Sequence, residues 1–231
     1  MTQKLDILIF GAHADDAEIG MAGTIFKHTS AGASVGICDL TAAEMSSNGN
    51  VELRKEEANR AAQVLGLAMR SNLGLPDRGL YITPDNVERI TEEIRKYSPR
   101  IVFAPYWEDR HPDHIACSKL VEEAVFNAKL RRYLPDQPAV RVDELYYYFI
   151  NDLGKADLLV DVSADYGMKI EALSCYRSQF EKHEEDAVST PLTEGYIERV
   201  RARDALLGQR KLIPYAEGFA TKTPYMVRLF N

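Results

Sequence analysis

The sequence predicts a single α/β domain of 231 residues, built on a doubly wound, mostly parallel sheet with helices on both faces. Three observations predict this fold class. Apolar segments rich in β-branched residues alternate with amphipathic helical segments. The predicted strands are apolar on both sides, as is typical of parallel strands covered by helices on both faces. The length fits one full-sized α/β domain better than two small ones.

The first half of the chain alternates strand and helix without interruption. The predicted strands are Leu5–Phe10, Val35–Asp39, Met69–Leu73 and Ile101–Pro105. The predicted helices run from about Ala17 to Thr29, Val51 to Leu65, Thr83 to Tyr97 and Asp113 to Leu130. Gly32 and Gly66 stop the first two helices. Thr83, followed by Pro84 in the first turn, caps the third.

The second half adds further strands and helices in a less regular order. The predicted elements are the strands Leu145–Ile150 and Leu158–Val162 and the helices Ala164–Tyr176 and Glu194–Leu207. Ser163 is the expected cap of the first of these helices, and Gly208 ends the second. Between them, Ser178–Pro191 is polar and aperiodic, and a mixed tail follows the last helix.

Composition excludes several classes of protein. The formal net charge is -7, and no Lys/Arg-rich tract interrupts it, so neither nucleic acid nor an anionic membrane is expected as a partner. No run approaches the roughly 18 apolar residues that span a bilayer. The N-terminus has no signal-peptide pattern, and the scattered Cys38, Cys117 and Cys175 are typical of reduced thiols. A cytoplasmic protein is therefore expected.

A first chemical signal follows the first predicted strand. Gly11-Ala12-His13-Ala14-Asp15-Asp16 lies at its carboxyl end, which is where ligands bind in doubly wound sheets. The G-x-G-x-x-G pattern of Rossmann dinucleotide sites is absent, and two carboxylates stand where a pyrophosphate would approach. One histidine and two aspartates instead suit a divalent cation, with one carboxylate left over to handle a proton.

A second signal, Arg110-His111-Pro112-Asp113-His114, follows the fourth predicted strand and opens a helix. In the common 3-2-1-4 strand order, strands one and four are neighbours, so both signals are expected in one crevice. Two histidines and an aspartate with an open fourth position are typical of catalytic zinc, although iron, cobalt and manganese fit the same donors.

Several of these residue types also have ordinary structural roles. Asp16 and Asp113 suit helix caps or first turns. No functional role is expected for His28, near a helix C-terminus, or for His183, in the polar stretch. The tyrosines 146–148 are expected to pack in the sheet. By pattern alone, Arg54 lies on a solvated helix face with i,i+4 charge pairs.

With these residues in hand, the chain resembles the LmbE-like and PIG-L family of zinc-dependent N-acetylglucosaminyl deacetylases. His13-Ala14-Asp15-Asp16 resembles the family's His-Pro-Asp-Asp motif, with alanine for the usual proline, and His111-Pro112-Asp113-His114 matches its second motif. The similarity covers nearly the whole chain and is greatest to the bacillithiol-biosynthesis branch. It includes the segments Leu53-Arg54-Lys55-Glu56-Glu57, Pro76-Asp77-Arg78-Gly79-Leu80, Glu108-Asp109-Arg110, Ser178-Gln179-Phe180 and Pro191-Leu192-Thr193-Glu194-Gly195-Tyr196.

The resemblance implies a role for each candidate residue. The implied metal ligands are His13, Asp16 and His114, with Zn²⁺ as the cofactor or another divalent metal such as Fe²⁺. Asp15 is the implied general base, and His111 stabilises the oxyanion or protonates the leaving amine. Asp113 orients a histidine. Either Asp15 or His111 remains open as the general acid.

The implied substrate is N-acetylglucosaminyl malate, hydrolysed to glucosaminyl malate and acetate. Malate carries two carboxylates, so Arg54 is the first candidate for binding them and Arg110 the second. Tyr196 is a candidate for reaching the carbonyl or the sugar. The resemblance also implies a homo-oligomer, with a hexamer as one form, and the tyrosine-rich strand and the last helix are candidate interfaces.

Two alternatives stay open. One is a different N-acetylated substrate, such as diacetylchitobiose or a mercapturate-type thiol conjugate. The other is a non-enzymatic sugar- or nucleotide-binding domain on the same kind of sheet. It would bind a ligand without releasing acetate, and it has no need of paired carboxylates beside a histidine.

Overall fold

The structure, a computed structural model, describes residues 4–182 and 187–224. The strands in these residues are β1 Ile7–Gly11, β2 Val35–Thr41, β3 Met69–Leu75, β4 Ile101–Pro105, β5 Glu144–Tyr148, β6 Leu158–Asp161 and β7 Ala216–Ala220. The helices are α1 Asp16–Ser30, α2 Val51–Val64, α3 Pro84–Tyr97, α4 Pro112–Ala128, α5 Tyr166–Ser174, α6 Arg177–Phe180 and α7 Tyr196–Gln209.

The strands form one sheet in the order β3-β2-β1-β4-β5-β7-β6. Strands β1 to β5 pair in parallel, and β7 pairs antiparallel with both of its neighbours. The predicted mostly parallel α/β sheet is confirmed, and so is the 3-2-1-4 order of the first four strands. Because β1 and β4 are adjacent, the loops that follow them open at the same edge.

Burial explains why the central strands are so apolar. Every residue of β1 and β2 is buried, and the apolar core divides into two clusters on the two faces of the sheet. Tyr147 and Tyr148 are buried in strand β5, as predicted. Since β5 lies between β4 and β7, both of its edges are paired within the sheet.

The helix caps follow the predicted chemistry in the first half. The Thr83 side chain accepts a hydrogen bond from the Asn86 backbone N–H at 3.2 Å, and Gly32 takes a left-handed φ of 87° just after α1. Asn50 caps α2 in the same way as Thr83 caps α3. These helices end within one or two residues of their predicted bounds because local residues decide their ends.

In the second half of the chain, the helices and strands differ more from the predicted ones. Ser163 does not cap α5, which begins at Tyr166; its hydroxyl instead exchanges hydrogen bonds with the Tyr215 backbone. Gly208 lies inside α7 and does not end it. The predicted mixed tail contains strand β7, whose sequence Ala-Glu-Gly-Phe-Ala is too short and too mixed to predict alone.

The polar stretch from Ser178 to Pro191 is partly helical, because helix α6 occupies its start. His183 and the acidic residues that follow it fall outside the described residues. No helix in the part of the chain that the structure describes is long and apolar enough to cross a bilayer.

Helix α1 is broken at Met21, whose φ of -154° and ψ of 24° are not helical. The break leaves backbone groups that need other partners. Glu217 of β7 accepts the Gly23 and Thr24 N–H groups at 3.0 and 2.6 Å, and Arg203 of α7 donates to the Ile19 carbonyl at 2.7 Å. Both sides of the break in α1 are thereby held from the C-terminal half of the chain.

Candidate active site and metal centre

A cleft of about 430 Å³ opens where β1 and β4 end. Its walls include the residues after β1, those after β4, and part of the polar stretch near Thr190. All the predicted site residues except Asp113 line it directly: His13, Asp15, Asp16, Arg54, Arg110, His111, His114 and Tyr196. Asp113 is buried immediately behind, with its carboxylate 3.5 Å from the His13 Nε2 atom. The two sequence signals therefore meet in one crevice.

The loop after β1 has an unusual backbone. Asp15 precedes α1 with a φ of 115°, in the left-handed region that residues with a Cβ rarely adopt. The Asp16 carboxylate accepts the His13 backbone N–H at 2.9 Å, which closes the loop. As a result Asp15 and Asp16 are both buried although they are adjacent in the chain. Such strain persists where the surroundings hold it, often at functional sites.

The loop after β4 presents the other two histidines. His111 takes the N-cap position of α4, and its Nδ1 atom accepts the Asp113 backbone N–H at 3.2 Å. His114, one turn into the helix, directs Nε2 toward Asp16, with 3.1 Å to the Oδ1 atom. The rings of His111 and His114 stack with centroids 4.8 Å apart.

These side chains form a group that suits a metal ion. One nitrogen from each of His13, His111 and His114 lies within 4.8 Å of the others. The Asp16 carboxylate bridges two of them, at 3.7 Å from the His13 Nδ1 atom and 3.1 Å from the His114 Nε2 atom. Imidazole and carboxylate donors with this convergence fit zinc or iron(II), so the residues present fit the expected metal.

Asp109 is a site residue that sequence reasoning did not single out. Its Oδ1 atom lies 2.9 Å from the His114 Nδ1 atom and also accepts the His111 backbone N–H at 2.8 Å. Asn151 donates to the same oxygen through its side chain at 2.8 Å. A carboxylate on Nδ1 holds the ring so that Nε2 faces the cleft. The feature of the sequence that could have indicated a functional role is the position of Asp109 in the loop that follows β4.

Asp77 was also missed. Its Oδ1 atom lies 3.3 Å from the His13 Nε2 atom, and its Oδ2 atom accepts the Met45 backbone N–H at 3.0 Å. Together with His13 and Asp113 it forms a second group of metal-type donors. Asp113 is paired on its other side with Arg78, at 3.0 Å from the Nη1 atom. Asp113 thus contacts a histidine ring, as expected, and the ring is that of His13.

The helical pattern predicts a solvated position for Arg54, but the residue is buried. On α2 it shares a buried face with Glu57, Ala58 and Ala61, at spacings of three, four and seven residues. Its Nη2 atom donates to the Asp15 carboxylate at 3.0 Å and to the Ala14 carbonyl. Arg54 therefore holds the Asp15 carboxylate in place, while its Nε and Nη1 atoms find no partner among residues 4–182 and 187–224.

The two remaining candidates differ in exposure. Arg110 is exposed, and its side chain has no hydrogen-bond partner in the described ranges. Tyr196 is buried at the start of α7, and its hydroxyl donates to the Asn151 side chain at 2.9 Å. Both line the cleft. His28 takes no part in the site, because its ring contacts the Thr24 carbonyl within α1.

The electrostatics of the site favour a cation. Burial disfavours charge on His13, yet hydrogen bonds to Asp113 and Asp77 outweigh it and raise the pKa of His13 to about 10. The pKa of His114 rises to about 9, because Asp16 and Asp109 overcome the effect of burial. Excess carboxylate around imidazole nitrogens is what a bound divalent cation would neutralise.

Asp15 differs from its neighbour. Burial raises the pKa of Asp15 to about 7, although the Arg54 guanidinium opposes the shift. The pKa of Asp16 falls, because contact with His114 and His13 outweighs its burial. Two adjacent carboxylates with opposite shifts are the pattern by which proton-transfer roles divide.

The fold and the site together define a class: an α/β protein whose cleft is built around a His/Asp group able to hold a metal ion. A family model described as PIG-L, GlcNAc-PI de-N-acetylase, matches residues 8–125, just over half of the chain. The chain belongs to this family of PIG-L/LmbE-like deacetylases.

Curated relatives extend the match. The diacetylchitobiose deacetylase of Thermococcus kodakarensis is 31% identical over 189 residues, covering 75% of this chain and 70% of that protein. A probable N-acetyl-alpha-D-glucosaminyl L-malate deacetylase 2 of Bacillus subtilis is 30% identical, covering 77% and 85%. Among solved structures, a conserved protein of Thermus thermophilus, TT1542, is 36% identical, with a TM-score of 0.90 over 98% of this chain and 99% of that one.

Proposed function

We propose that the protein is a zinc-dependent N-deacetylase that hydrolyses N-acetylglucosaminyl malate to glucosaminyl malate and acetate, a step of bacillithiol biosynthesis. The observation that carries the proposal is the division of the two adjacent carboxylates: Asp16 contacts the histidine nitrogens, and Asp15 is paired with Arg54. A cation site with a spare base beside it is what metal-assisted amide hydrolysis requires. The similarity to the Bacillus subtilis protein supports the malate conjugate.

In this proposal His13, Asp16 and His114 hold the metal. Zinc, when bound, polarises the acetamide carbonyl and makes a water molecule acidic near neutral pH. The protein supplies the orientation: Asp109 and Asn151 hold the His114 ring, and the loop after β1 holds Asp16. Iron(II) fits the same donors.

Asp15 removes the proton of the attacking water at its carboxylate oxygen. A base acts best when its pKa lies near the working pH, and burial moves the pKa of Asp15 to about 7. The Arg54 contact keeps this carboxylate oriented and leaves it free of metal binding. Water adds to the amide carbon, the C–N bond breaks, and acetate and a free amine are the products.

His111 is placed to act on the other side of the reaction. Its Nδ1 atom accepts a backbone N–H, so in the neutral ring the Nε2 atom carries the proton. The pKa of His111 is lowered by burial and by the neighbouring histidines His114 and His13. From Nε2 the neutral ring can donate a hydrogen bond to the developing oxyanion, and the doubly protonated ring can give a proton to the departing amine.

Diacetylchitobiose is the second candidate substrate, because the Thermococcus kodakarensis relative is named for it and is 31% identical. Both substrates present an N-acetylglucosamine unit to the same cleft. They differ in what that sugar carries: two carboxylates in one case and a neutral sugar in the other. The family likeness does not separate them.

A direct assay tests the proposal. Purified, zinc-loaded protein is incubated with N-acetylglucosaminyl malate, diacetylchitobiose and N-acetylglucosamine, and the free amines are quantified by mass spectrometry. We expect the highest kcat/KM with the malate conjugate. A preference for diacetylchitobiose would move the function to the second candidate, and no amine from any substrate would refute the deacetylase proposal. The cytoplasmic location and the homo-oligomer stay predictions.

A further inference from the structure

A second cavity of about 390 Å³ adjoins the cleft. The two share one wall, formed by Arg110, Ile150, Asn151 and Tyr196. The two cavities are therefore adjacent, which is the arrangement that a sugar and a group attached to it require. The volume lies within the range of about 300–1,000 Å³ that is typical of small-molecule sites.

The charge of this cavity is opposite to that of the metal group. Its lining carries three arginines, Arg110, Arg199 and Arg203, against a single carboxylate, Asp152. The metal group next to it is rich in carboxylates. A molecule that reaches across the shared wall thus moves from an acidic into a basic environment.

The three arginines are not equivalent. Arg203 is occupied: it donates to the carbonyls of Ile150 and Ile19 at 2.7 Å each and pairs with Asp204 at 3.0 Å. It forms a fixed part of the wall. Neither the Arg110 nor the Arg199 guanidinium has a hydrogen bond or ion pair with residues 4–182 or 187–224. Asp152 uses one oxygen to accept the Arg110 backbone N–H at 3.1 Å.

Helix α7 places Arg199 on the side of the cleft. Tyr196, Arg199 and Arg203 are spaced by three and seven residues, so they lie on one face of the helix. Tyr196 contacts Asn151 in the wall that both cavities share. The same helix face therefore continues from the cleft into the basic cavity.

We propose that this cavity is the subsite for an anionic group attached to the sugar, bound through carboxylate oxygens by Arg199 and Arg110. The inference rests on the proposed function for the sugar that occupies the cleft. It selects the class of substrate, because a carboxylate-bearing conjugate gains two charge-assisted contacts that a neutral disaccharide does not. Arg199 is then a specificity-determining residue that neither sequence motif contains.

The test compares four proteins: wild type, Arg199→Gln, Arg199→Lys and Arg201→Gln. Arg201 is exposed on the same helix and outside the cavity lining, so its substitution changes the net charge equally and serves as the control. KM and kcat are measured with N-acetylglucosaminyl malate and with diacetylchitobiose. We expect Arg199→Gln to raise KM for the malate conjugate about fivefold, the effect of one exposed ion pair. The neutral substrate should be unaffected, and Arg199→Lys should recover part of the loss.

Equal changes with both substrates, or none with either, would overturn the subsite. Failure of the proposed function would give a different result, no hydrolysis of either substrate by the wild type. A second measurement tests the subsite independently of the reaction. Calorimetric binding of L-malate alone needs no turnover. Weaker binding in Arg199→Gln than in Arg201→Gln supports the subsite, and equal binding in the two refutes it.

Discussion

Two of the clusters of buried charge that contact helix α1 are built on different principles. The lysine cluster, which consists of Lys169, Arg203, Asp204 and Glu217, lies against the break in the helix. The site cluster lies at its first turn and contains five carboxylates: Asp15, Asp16, Asp77, Asp109 and Asp113. Each of these side chains is 10% exposed or less.

The lysine cluster is balanced. Two cations face two carboxylates, with Lys169 at 2.7 Å from Glu217 and 2.8 Å from Asp204. The backbone N–H of Gly23 donates to the same Glu217 oxygen as Lys169, and the N–H of Thr24 donates to the other oxygen. Every charge has a partner, so the cluster joins α1, α5, α7 and β7 and leaves nothing for a ligand to bind.

The site cluster is not balanced. Its five carboxylates are paired with two arginines, Arg54 and Arg78, and otherwise with histidines. The difference between the clusters shows that burial of charge does not by itself mark a functional site. A functional site is indicated instead by an excess of charge of one sign around shared atoms, because a metal ion or a proton can neutralise that excess. Four experiments test the contrast.

Removal of metal should have the largest effect. Dialysis against a chelator is expected to abolish acetate release, and added zinc should restore it, because the proposed reaction depends on a divalent cation that makes water acidic. The far-ultraviolet circular dichroism should change little, since the lysine cluster and the two apolar cores do not involve the metal. Full activity in protein shown to be metal-free would refute the metal mechanism. Reconstituting the metal-free protein with iron(II) or with zinc, in separate samples, compares the activity that each metal supports.

The second largest effect is expected for Asp15→Asn. We expect kcat to fall about 10²–10⁴-fold, the usual contribution of a general base. Zinc content should stay at the wild-type level because Asp15 is held by Arg54 and not by the metal group. Asp143→Asn, an exposed aspartate far from the cleft, is the matched control. An undiminished kcat would remove Asp15 from its role.

Lys169→Met should act on stability alone. Removing one partner from a buried ion pair costs about 3–5 kcal/mol, because the remaining carboxylates are left unpaired. Chemical denaturation measures this loss, and kcat per folded molecule should stay near the wild-type value. Lys155→Met, whose side chain is 89% exposed, should change the free energy of unfolding by no more than about 0.5 kcal/mol. A lower kcat at unchanged stability would contradict the division between the clusters.

Asp109→Asn should have the smallest effect of the four. The carboxylate orients His114, and loss of such a partner weakens metal binding about 10–100-fold. The zinc dissociation constant, measured by competition with a chromogenic chelator, is therefore expected to rise while kcat at saturating zinc falls less. Glu108→Gln, at the exposed neighbouring position, is the control. Equal zinc affinities in the two variants would show that Asp109 does not orient the ligand.

Much of the fold was predictable because local chemistry dictates it. The apolar strands β1, β2 and β4 and the cap at Thr83 are set by residues adjacent in sequence. Strand β7 was not predictable, because its Glu217 is a buried charge that only Lys169 and the break in α1 make acceptable. A short segment that contains a charged residue is predicted to be a loop unless the partners of that residue are known.

The site divides in the same way. The clustered His and Asp residues after β1 and β4 predict a cation site, since parallel strands bring their carboxyl ends together. Asp77 and Asn151 come from loops with no such pattern, and they join the site only through the packing of β3 and β5. Arg54 is the clearest failure of periodicity, because α2 buries a charged face against Asp15 and Glu57 is buried beside it.

The sequence by itself determined the class of fold, the crevice and the residue types there that could hold a cation, because strand order and hydrophobic pattern are local and repetitive. Only the tertiary structure decided which carboxylate stays free. Asp15 and Asp16 are neighbours with the same side chain, and their surroundings differ because of Arg54, which lies about forty residues away in sequence and which the fold places against Asp15. A charge acquires its function from its partners, and partners distant in the chain meet only in the folded protein.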